Sequence, residues 1–105
     1  KYPKVKFIVS HAAWPYAEEM VVVALACQNI YVSPDLYGAT VGMIGADTYV
    51  KGANMFLEDR TLFGSAYPTK DIQEAVRDFL ALGYRQDIIP KVMWDNAAKL
   101  LKINA

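Results

Sequence analysis

The chain has 105 residues, enough for one small hydrophobic core, so we expect a single domain. Hydrophobic residues make up 54% of the chain, and 11 basic residues balance 11 acidic ones, giving a formal net charge of zero. The lack of a basic patch argues against a nucleic-acid partner, whereas a neutral, apolar-rich chain favours association with other chains. The apolar run over residues 20–27 is far shorter than the roughly 20 residues that a membrane span needs, so no membrane partner is expected.

The cysteine content and the N-terminus bear on location and processing. Cys27 is the only cysteine, which excludes a disulfide within the chain and fits a reducing, cytoplasmic location. Because Cys27 ends an apolar run, we expect a buried structural thiol rather than a nucleophile. The N-terminus has neither a signal-peptide pattern nor an initiator Met, so we expect that the sequence starts within a longer protein.

The first half of the chain alternates between predicted strands and helices. Residues 5–10 are apolar at nearly every position, which is typical of a strand buried on both faces of a parallel sheet. A helix follows over 14–29, with Pro15 at a first helical position and two glutamates near the positive end of the helix dipole. Its apolar stripe is wide, so we expect its outer side to be covered as well. Residues 29–33 are predicted as a second strand and residues 45–59 as a second helix.

A third strand and a strongly amphipathic helix come next. The strand is predicted over residues 61–65. The helix is predicted over residues 69–83, where apolar side chains recur at helical spacing. Thr69 or Asp71 can cap its start, and Gly83 occupies the position of a terminating glycine.

Two further helices are predicted at the end of the chain. The first covers residues 85–94, with Asp87 as its cap, and the second covers residues 95–103, capped by Asp95 or Asn96. The resulting order is β-α-β-α-β-α-α. Strands that alternate with helices predict parallel pairing with right-handed crossovers, and hence an α/β fold built of parallel βα units.

In parallel α/β folds, functional residues follow the carboxyl ends of the strands. Three short segments occupy these positions: "SHAAWP" (residues 10–15), "SPDLYG" (33–38) and "SAYP" (65–68). We expect all three to face one side of the sheet and to form the floor of a pocket.

Several side chains in these segments can carry chemistry. His11, the only histidine, can bind a metal, position a water or act as a general base, and a partly buried histidine bonded to backbone is an equally supported alternative. Asp35 can bind a cation or accept a proton, but we favour a turn residue because Asp is common in turns. Trp14, Tyr37 and Tyr67 can line a pocket or pack structurally.

Other site types find less support in the sequence. The glycine-containing segment "GMIGAD" (42–47) lacks the lysine and the spacing of a phosphate-binding loop. One histidine and a few acids do not complete a metal site by themselves. An unrelated three-stranded α/β domain, a small flavodoxin-like fold, is a less supported alternative for the whole chain.

Four segments taken together resemble the amidohydrolase-2 family of metal-dependent hydrolases with TIM-barrel folds, which includes related decarboxylases. The segments are "VKFIVSHAAWP" (5–15), "QNIYVSPDLYG" (28–38), "TLFGSAYP" (61–68) and "DNAAKLLKI" (95–103). They cover nearly the whole chain in the family's order. The resemblance implies that residues 1–105 form a single partial domain, equivalent to strands six to eight of an eight-stranded barrel. A complete barrel takes about 250 residues.

The resemblance also implies roles for individual residues. The family's equivalent of His11 holds or activates the attacking water near a divalent, zinc-like metal, and an acid in the third segment binds the metal or shuttles a proton. Here that position is Ala66, which can do neither and puts the metal in doubt. A metal-free enzyme, loss of catalysis, or substitution by Asp35 would each account for Ala66. Ser65 is the nearest polar group, and we include Trp14, Asp35, Ser65 and Tyr67 as candidate substrate-binding residues.

Two functions follow as expectations. The first is an enzyme that hydrolyses or decarboxylates a small carboxylated or carbonyl substrate, with His11 as the catalytic residue. The rest of the barrel would be its partner, and this chain alone would be inactive. The second is a non-catalytic binding or oligomerisation domain derived from a barrel. The apolar helix over residues 15–28 would then be a candidate contact between copies of the chain.

Overall fold

The computed structural model describes residues 2–103. In chain order, its regular elements are β1 (Phe7–Ser10), α1 (Ala17–Ala26), β2 (Ile30–Ser33), α2 (Ala46–Gly52), α3 (Ile72–Ala81) and α4 (Asn96–Leu100). Short 3-10 turns occupy His11–Ala13, Leu36–Ala39 and Gln86–Ile88. Two π-helical turns, Ala53–Leu57 and Lys91–Asp95, extend α2 and lead into α4. No helix in the described part of the chain is long and apolar enough to cross a membrane.

The strands pair in parallel, as the alternating pattern predicted. Phe7 lies opposite Ile30, and the register continues to the ends of β1 and β2. The predicted third strand is reduced to one parallel bridge between Val32 and Thr61. The amide of Leu62 donates to the Val32 carbonyl at 2.8 Å, which holds this segment against β2.

Two predictions of burial are wrong. Within residues 2–103, β1 pairs only with β2, so its other edge is open, and Phe7 and Ile8 are 44% and 51% exposed rather than buried. Cys27 is also exposed, because it follows the last residue of α1, where the chain turns towards β2. A strand that is apolar at nearly every position and lies at an open edge leaves its backbone groups and side chains available to another element.

Helix α1 starts later than predicted. Pro15 precedes the helix rather than opening it, because the 3-10 turn and a cis Trp14–Pro15 peptide bond carry the chain as far as Tyr16. Glu18 and Glu19 do lie in the first turn, near the positive end of the helix dipole. The helix buries one face, formed by Ala17, Met20, Val21 and Ala24.

The opposite face of α1 is apolar and open. Val22, Val23 and Leu25 are 62%, 45% and 51% exposed. The expectation that the outer side of this helix is covered is therefore not met by residues 2–103.

The helix caps follow the predictions in part. The side chain of Asp71 accepts hydrogen bonds from the amides of Gln73 and Glu74, and Gly83 takes a φ of 103° just after α3, as predicted. Asp87 does not cap a helix but accepts from Nε of Arg85 at 3.1 Å.

The predicted cap at Asp95 or Asn96 is absent because helical structure runs continuously through these residues. Asn96 is buried and instead donates to the carbonyls of Glu58 and Thr61 at 2.7 and 2.9 Å. This side chain ties α4 to the segment that pairs with β2.

The core consists of two clusters. The first packs α1 and α2 against the sheet, and its larger members are Met20, Val21, Val32, Tyr49 and Leu57. The second joins the far end of α2 to α3 and the C-terminal helices, through Val50, Phe79, Tyr84, Ile88 and Val92. The first cluster lies directly beneath the turns that follow β1 and β2, and so supports the site described next.

Candidate functional site

A left-handed turn follows β1. His11, Ala12 and Ala13 have φ angles of 57°, 47° and 59°, a region that L-residues other than Asn and Asp rarely adopt. Each such residue costs on the order of 1–2 kcal/mol, so the surrounding structure must hold the turn in place. The His11 side chain in this turn is 59% exposed.

His11 and Asp35 form a pair across the turns that follow β1 and β2. Nδ1 of His11 lies in direct hydrogen-bonding contact with Oδ1 of Asp35, whose side chain is 14% exposed. The main-chain carbonyl of Asp35 accepts from the amide of Gly38 at 3.2 Å, whereas its side chain does not cap that turn. The interpretation of Asp35 as a turn residue thus holds for its backbone and not for its carboxylate.

The pair has a definite chemical consequence. A carboxylate that accepts a hydrogen bond from Nδ1–H favours the tautomer in which Nε2 carries the lone pair. It also stabilises the imidazolium that forms when Nε2 takes up a proton. The arrangement can therefore serve as a general base or as a ligand through Nε2 of His11.

A small cleft opens beside the pair. Its volume is about 190 Å³, and it is lined by His11, Trp14, Asp35, Leu36 and Tyr37. The Trp14 and Tyr37 rings lie 4.7 Å apart between centroids, and Nε1 of Trp14 donates to the Ile44 carbonyl at 2.7 Å. Pockets that enclose a small molecule usually measure roughly 300–1,000 Å³. The cleft is therefore smaller than a complete small-molecule pocket and has the size expected of one part of such a pocket.

The third strand-end segment borders the cleft without lining it. A Cβ built on Gly64 would lie 3.3 Å from Oδ2 of Asp35 and 3.3 Å from Oγ of Ser33, so this segment packs closely behind the pair. Oγ of Ser65 accepts from the amide of Tyr67 at 3.2 Å, and the Tyr67 side chain is 65% exposed. The structure therefore brings His11, Trp14 and Asp35 together and places Ser65 and Tyr67 outside the cleft.

The described residues do not by themselves fit a metal site. Among residues 2–103, no group of three or more His, Cys, Asp or Glu side chains is arranged to hold a metal ion. Catalytic zinc sites use three protein ligands, and the pair of His11 and Asp35 supplies two donors at most. Ala66, at the position where an acid was expected, has a φ of 61° and no donor atom in its side chain.

A larger cleft, of about 510 Å³, lies at the amino ends of the strands. Lys6, Gln28, Asp59 and Arg60 contribute to its wall, and each of them precedes a strand or the bridge at Thr61. Nη1 of Arg60 is bound to the carbonyls of residues 24, 27 and 30, so this guanidinium has a structural role. We place the candidate site at the opposite end, where the histidine and the acid meet.

Three residues that shape the site were not identified as site residues from sequence. Leu36 lines the cleft, Gly64 packs against Asp35, and Tyr49 reaches the turn after β1 from α2. Helical spacing placed Tyr49 on an apolar helix face. A buried tyrosine hydroxyl needs a hydrogen-bond partner, and this requirement is the feature of the sequence that could have pointed to a role for Tyr49 beyond apolar packing.

Comparison with known proteins gives a decisive match. The amidohydrolase-2 family model, described as amidohydrolase, matches residues 1–103. The chain belongs to the amidohydrolase-2 family. This confirms the family predicted from the four segments of the sequence.

A solved structure supports the fold of this family member. An uncharacterised TIM-barrel protein from Bordetella bronchiseptica is 36% identical to the chain and superposes with a TM-score of 0.90. The match covers 97% of this chain and 36% of that protein. The parallel α/β arrangement is therefore that of a TIM-barrel segment, as predicted. A search of curated proteins found no match.

Proposed function

We propose that the chain contributes the catalytic histidine of an amidohydrolase-like barrel enzyme that hydrolyses or decarboxylates a small carboxylated or carbonyl substrate. The single observation that carries the proposal is the contact between Nδ1 of His11 and Oδ1 of Asp35 at the carboxyl ends of β1 and β2. Barrel enzymes place catalytic groups at this end of the strands. We also propose a cytoplasmic location, because a chain with one cysteine has no internal disulfide and fits a reducing compartment.

Each residue of the site has a distinct part in the hydrolytic reaction. Nε2 of His11 takes a proton from a water molecule as its oxygen attacks the carbonyl carbon of the substrate, which gives a tetrahedral intermediate. When the bond from that carbon to the leaving oxygen breaks, His11 returns the proton to the leaving oxygen and is neutral again. Asp35 holds the imidazole orientation and stabilises the imidazolium that results. Trp14 and Tyr37 form an apolar wall, while Ser65 and Tyr67 contact the substrate from the rim.

We further propose that the three βα units are strands six to eight of the barrel with their helices. The open edge of β1, with Phe7 and Ile8 exposed, supports an adjoining strand there. The cleft volume of about 190 Å³ supports a site whose remaining walls come from other units. Those units would also supply any metal ligands, since the described residues lack a complete set.

The test is a steady-state comparison in a polypeptide that carries this chain together with the other barrel units. On a panel of small carboxylic acids and lactones, His11→Ala should lower kcat by a factor of about 10²–10⁴, the usual worth of a general base. Arg77→Ala, a change on the exposed side of α3 and outside the cleft, is the control and should keep kcat within a few-fold. Unchanged turnover in His11→Ala would rule out the assigned role.

A second function is favoured by a different observation, the open apolar face of α1 formed by Val22, Val23 and Leu25. In this alternative the chain is a non-catalytic module that associates with another copy through that face. Val22→Glu should then convert a dimer into a monomer in sedimentation velocity. Val41→Glu, at an apolar side chain that is 50% exposed in a loop, is the control. A monomeric wild-type chain would contradict this alternative.

A further inference from the structure

We infer that Tyr49 is a positioning residue that fixes the His11 turn and the Asp35 turn relative to each other. The inference rests on the proposed function, because it assigns Tyr49 to the geometry of the same histidine–carboxylate pair. Tyr49 lies on α2 and is not among the residues that line the cleft.

The hydroxyl group of Tyr49 holds the first turn. It donates to the main-chain carbonyl of Ala12 at 2.7 Å. Tyr49 is 2% exposed and Ala12 is fully buried, so no water competes for this bond. Ala12 is the middle residue of the left-handed turn whose first residue is His11. The bond therefore restrains the strained segment that aims the imidazole.

The aromatic ring of Tyr49 packs on the second turn. A Cβ built on Gly38 would lie 2.9 Å from Cε2 of Tyr49, a separation that real side chains do not tolerate, so the ring lies directly against the Gly38 backbone. The amide of Gly38 in turn donates to the Asp35 carbonyl at 3.2 Å. One rigid side chain thus spans the two turns that bring Nδ1 of His11 to Oδ1 of Asp35.

The hydroxyl is needed in its neutral form for this role. Burial raises the pKa of Tyr49 to about 12, which keeps the group protonated and able to donate throughout the neutral range. A phenylalanine would fill the same space and keep the contact with Gly38. It would leave the Ala12 carbonyl buried without this donor, a loss that the turn can relieve by moving.

The test uses the fact that His11 is the only histidine, so its ring nitrogens give a single set of resonances in ¹⁵N-edited spectra of the chain. The ¹⁵N shifts of a neutral imidazole report which ring nitrogen carries the proton. The Asp35→Asn variant supplies the reference spectrum for a histidine without its carboxylate. Tyr49→Phe should move the His11 shifts by at least half of the difference between wild type and Asp35→Asn.

Tyr84→Phe is the matched control. It removes one hydroxyl from another buried tyrosine, which lies in the second core cluster, stacked on Phe79. This variant should leave the His11 shifts at their wild-type values even if it is equally destabilised. His11 shifts that stay unchanged in Tyr49→Phe, or that move equally in Tyr84→Phe, would overturn the positioning role.

A second variant covers the case in which Tyr49→Phe does not fold. Gly38→Ala keeps the hydroxyl but pushes on the ring, and should displace the His11 shifts in the same way; no displacement would overturn the inference. A wild-type spectrum identical to that of Asp35→Asn would overturn both the pair and its positioning. The spectra need no substrate, so the two proposals can fail separately. Unchanged turnover in His11→Ala would contradict the proposed function, whereas unchanged His11 shifts in Tyr49→Phe would contradict only the positioning role of Tyr49.

Discussion

Gly64 lies against the side chain of Asp35, with room for a hydrogen and little more. A Cβ at position 64 would stand 3.3 Å from both Cβ and Oδ2 of Asp35. That spacing is tighter than ordinary van der Waals contact, so a larger residue must move one of its neighbours by a few tenths of an ångström. The glycine thereby connects the third strand-end segment to the pair formed by the first two.

Replacing Gly64 with alanine should loosen the contact between His11 and Asp35. We expect Gly64→Ala to lower the free energy of unfolding by about 1 kcal/mol, as modest overpacking does. The His11 ring shifts should move towards those of Asp35→Asn, because the carboxylate is pushed from its position. Urea denaturation and the ¹⁵N-edited spectrum measure the two effects.

A double variant identifies the neighbour that responds to the added methyl group. The built Cβ also lies 3.3 Å from Oγ of Ser33, so Ser33→Ala removes that contact and leaves the one with Asp35. The His11 shifts of Gly64→Ala should persist in the double variant. Shifts that return to wild type would mean that Ser33, and not Asp35, is displaced.

The backbone at Ala66 favours a residue without a Cβ. Because its φ is 61°, alanine pays a left-handed penalty there that glycine avoids. We expect Ala66→Gly to raise the free energy of unfolding by about 0.5–1 kcal/mol, measured by urea denaturation. The same change at Ala81, in right-handed α3, should lower it by up to about 1 kcal/mol. Destabilisation at both positions would contradict the conformational argument.

Arg60 should be important for stability although it is far from the candidate site. Nη1 of Arg60 donates to the carbonyls of Ala24, Cys27 and Ile30 at 2.8, 3.0 and 2.9 Å. These groups close α1 and open β2, so Arg60→Ala leaves them without this donor and should cost about 2 kcal/mol in thermal or urea unfolding. Arg77→Ala, on the exposed side of α3, should change stability by less than about 0.5 kcal/mol. Equal effects of the two substitutions would refute the bonding role.

The sequence was sufficient to predict the family and the parallel order of the βα units, because apolar periodicity and segment spacing are local signals. It also placed His11, Trp14 and Asp35 at strand ends, where the structure brings them together. It could not predict the pairing of His11 with Asp35, which depends on a left-handed turn that no residue type signals. It overestimated the burial of β1 within residues 2–103, because a strand's apolar pattern does not show which element packs against it.

Alkaline pH should destabilise the protein through its buried tyrosines. Burial raises the pKa of Tyr49 from its ordinary value of 10.0 to about 12, and burial raises the pKa of Tyr84 as well. Since the folded state holds these protons more tightly, their stabilising contribution is complete below pH 10 and declines as the pH rises through the folded-state pKa values. The free energy of unfolding should therefore fall between about pH 10 and pH 12.

Urea denaturation at a series of pH values measures this decline, and tyrosine variants assign it. Tyr49→Phe and Tyr84→Phe should each show a smaller fall in stability across the window than the wild-type chain. Tyr67→Phe, at a side chain that is 65% exposed, should show the wild-type fall, so it controls for the titration of lysines and other surface groups. If a chain lacking both buried hydroxyls lost stability as steeply as wild type, deprotonation of Tyr49 and Tyr84 would not be the cause of the alkaline loss of stability.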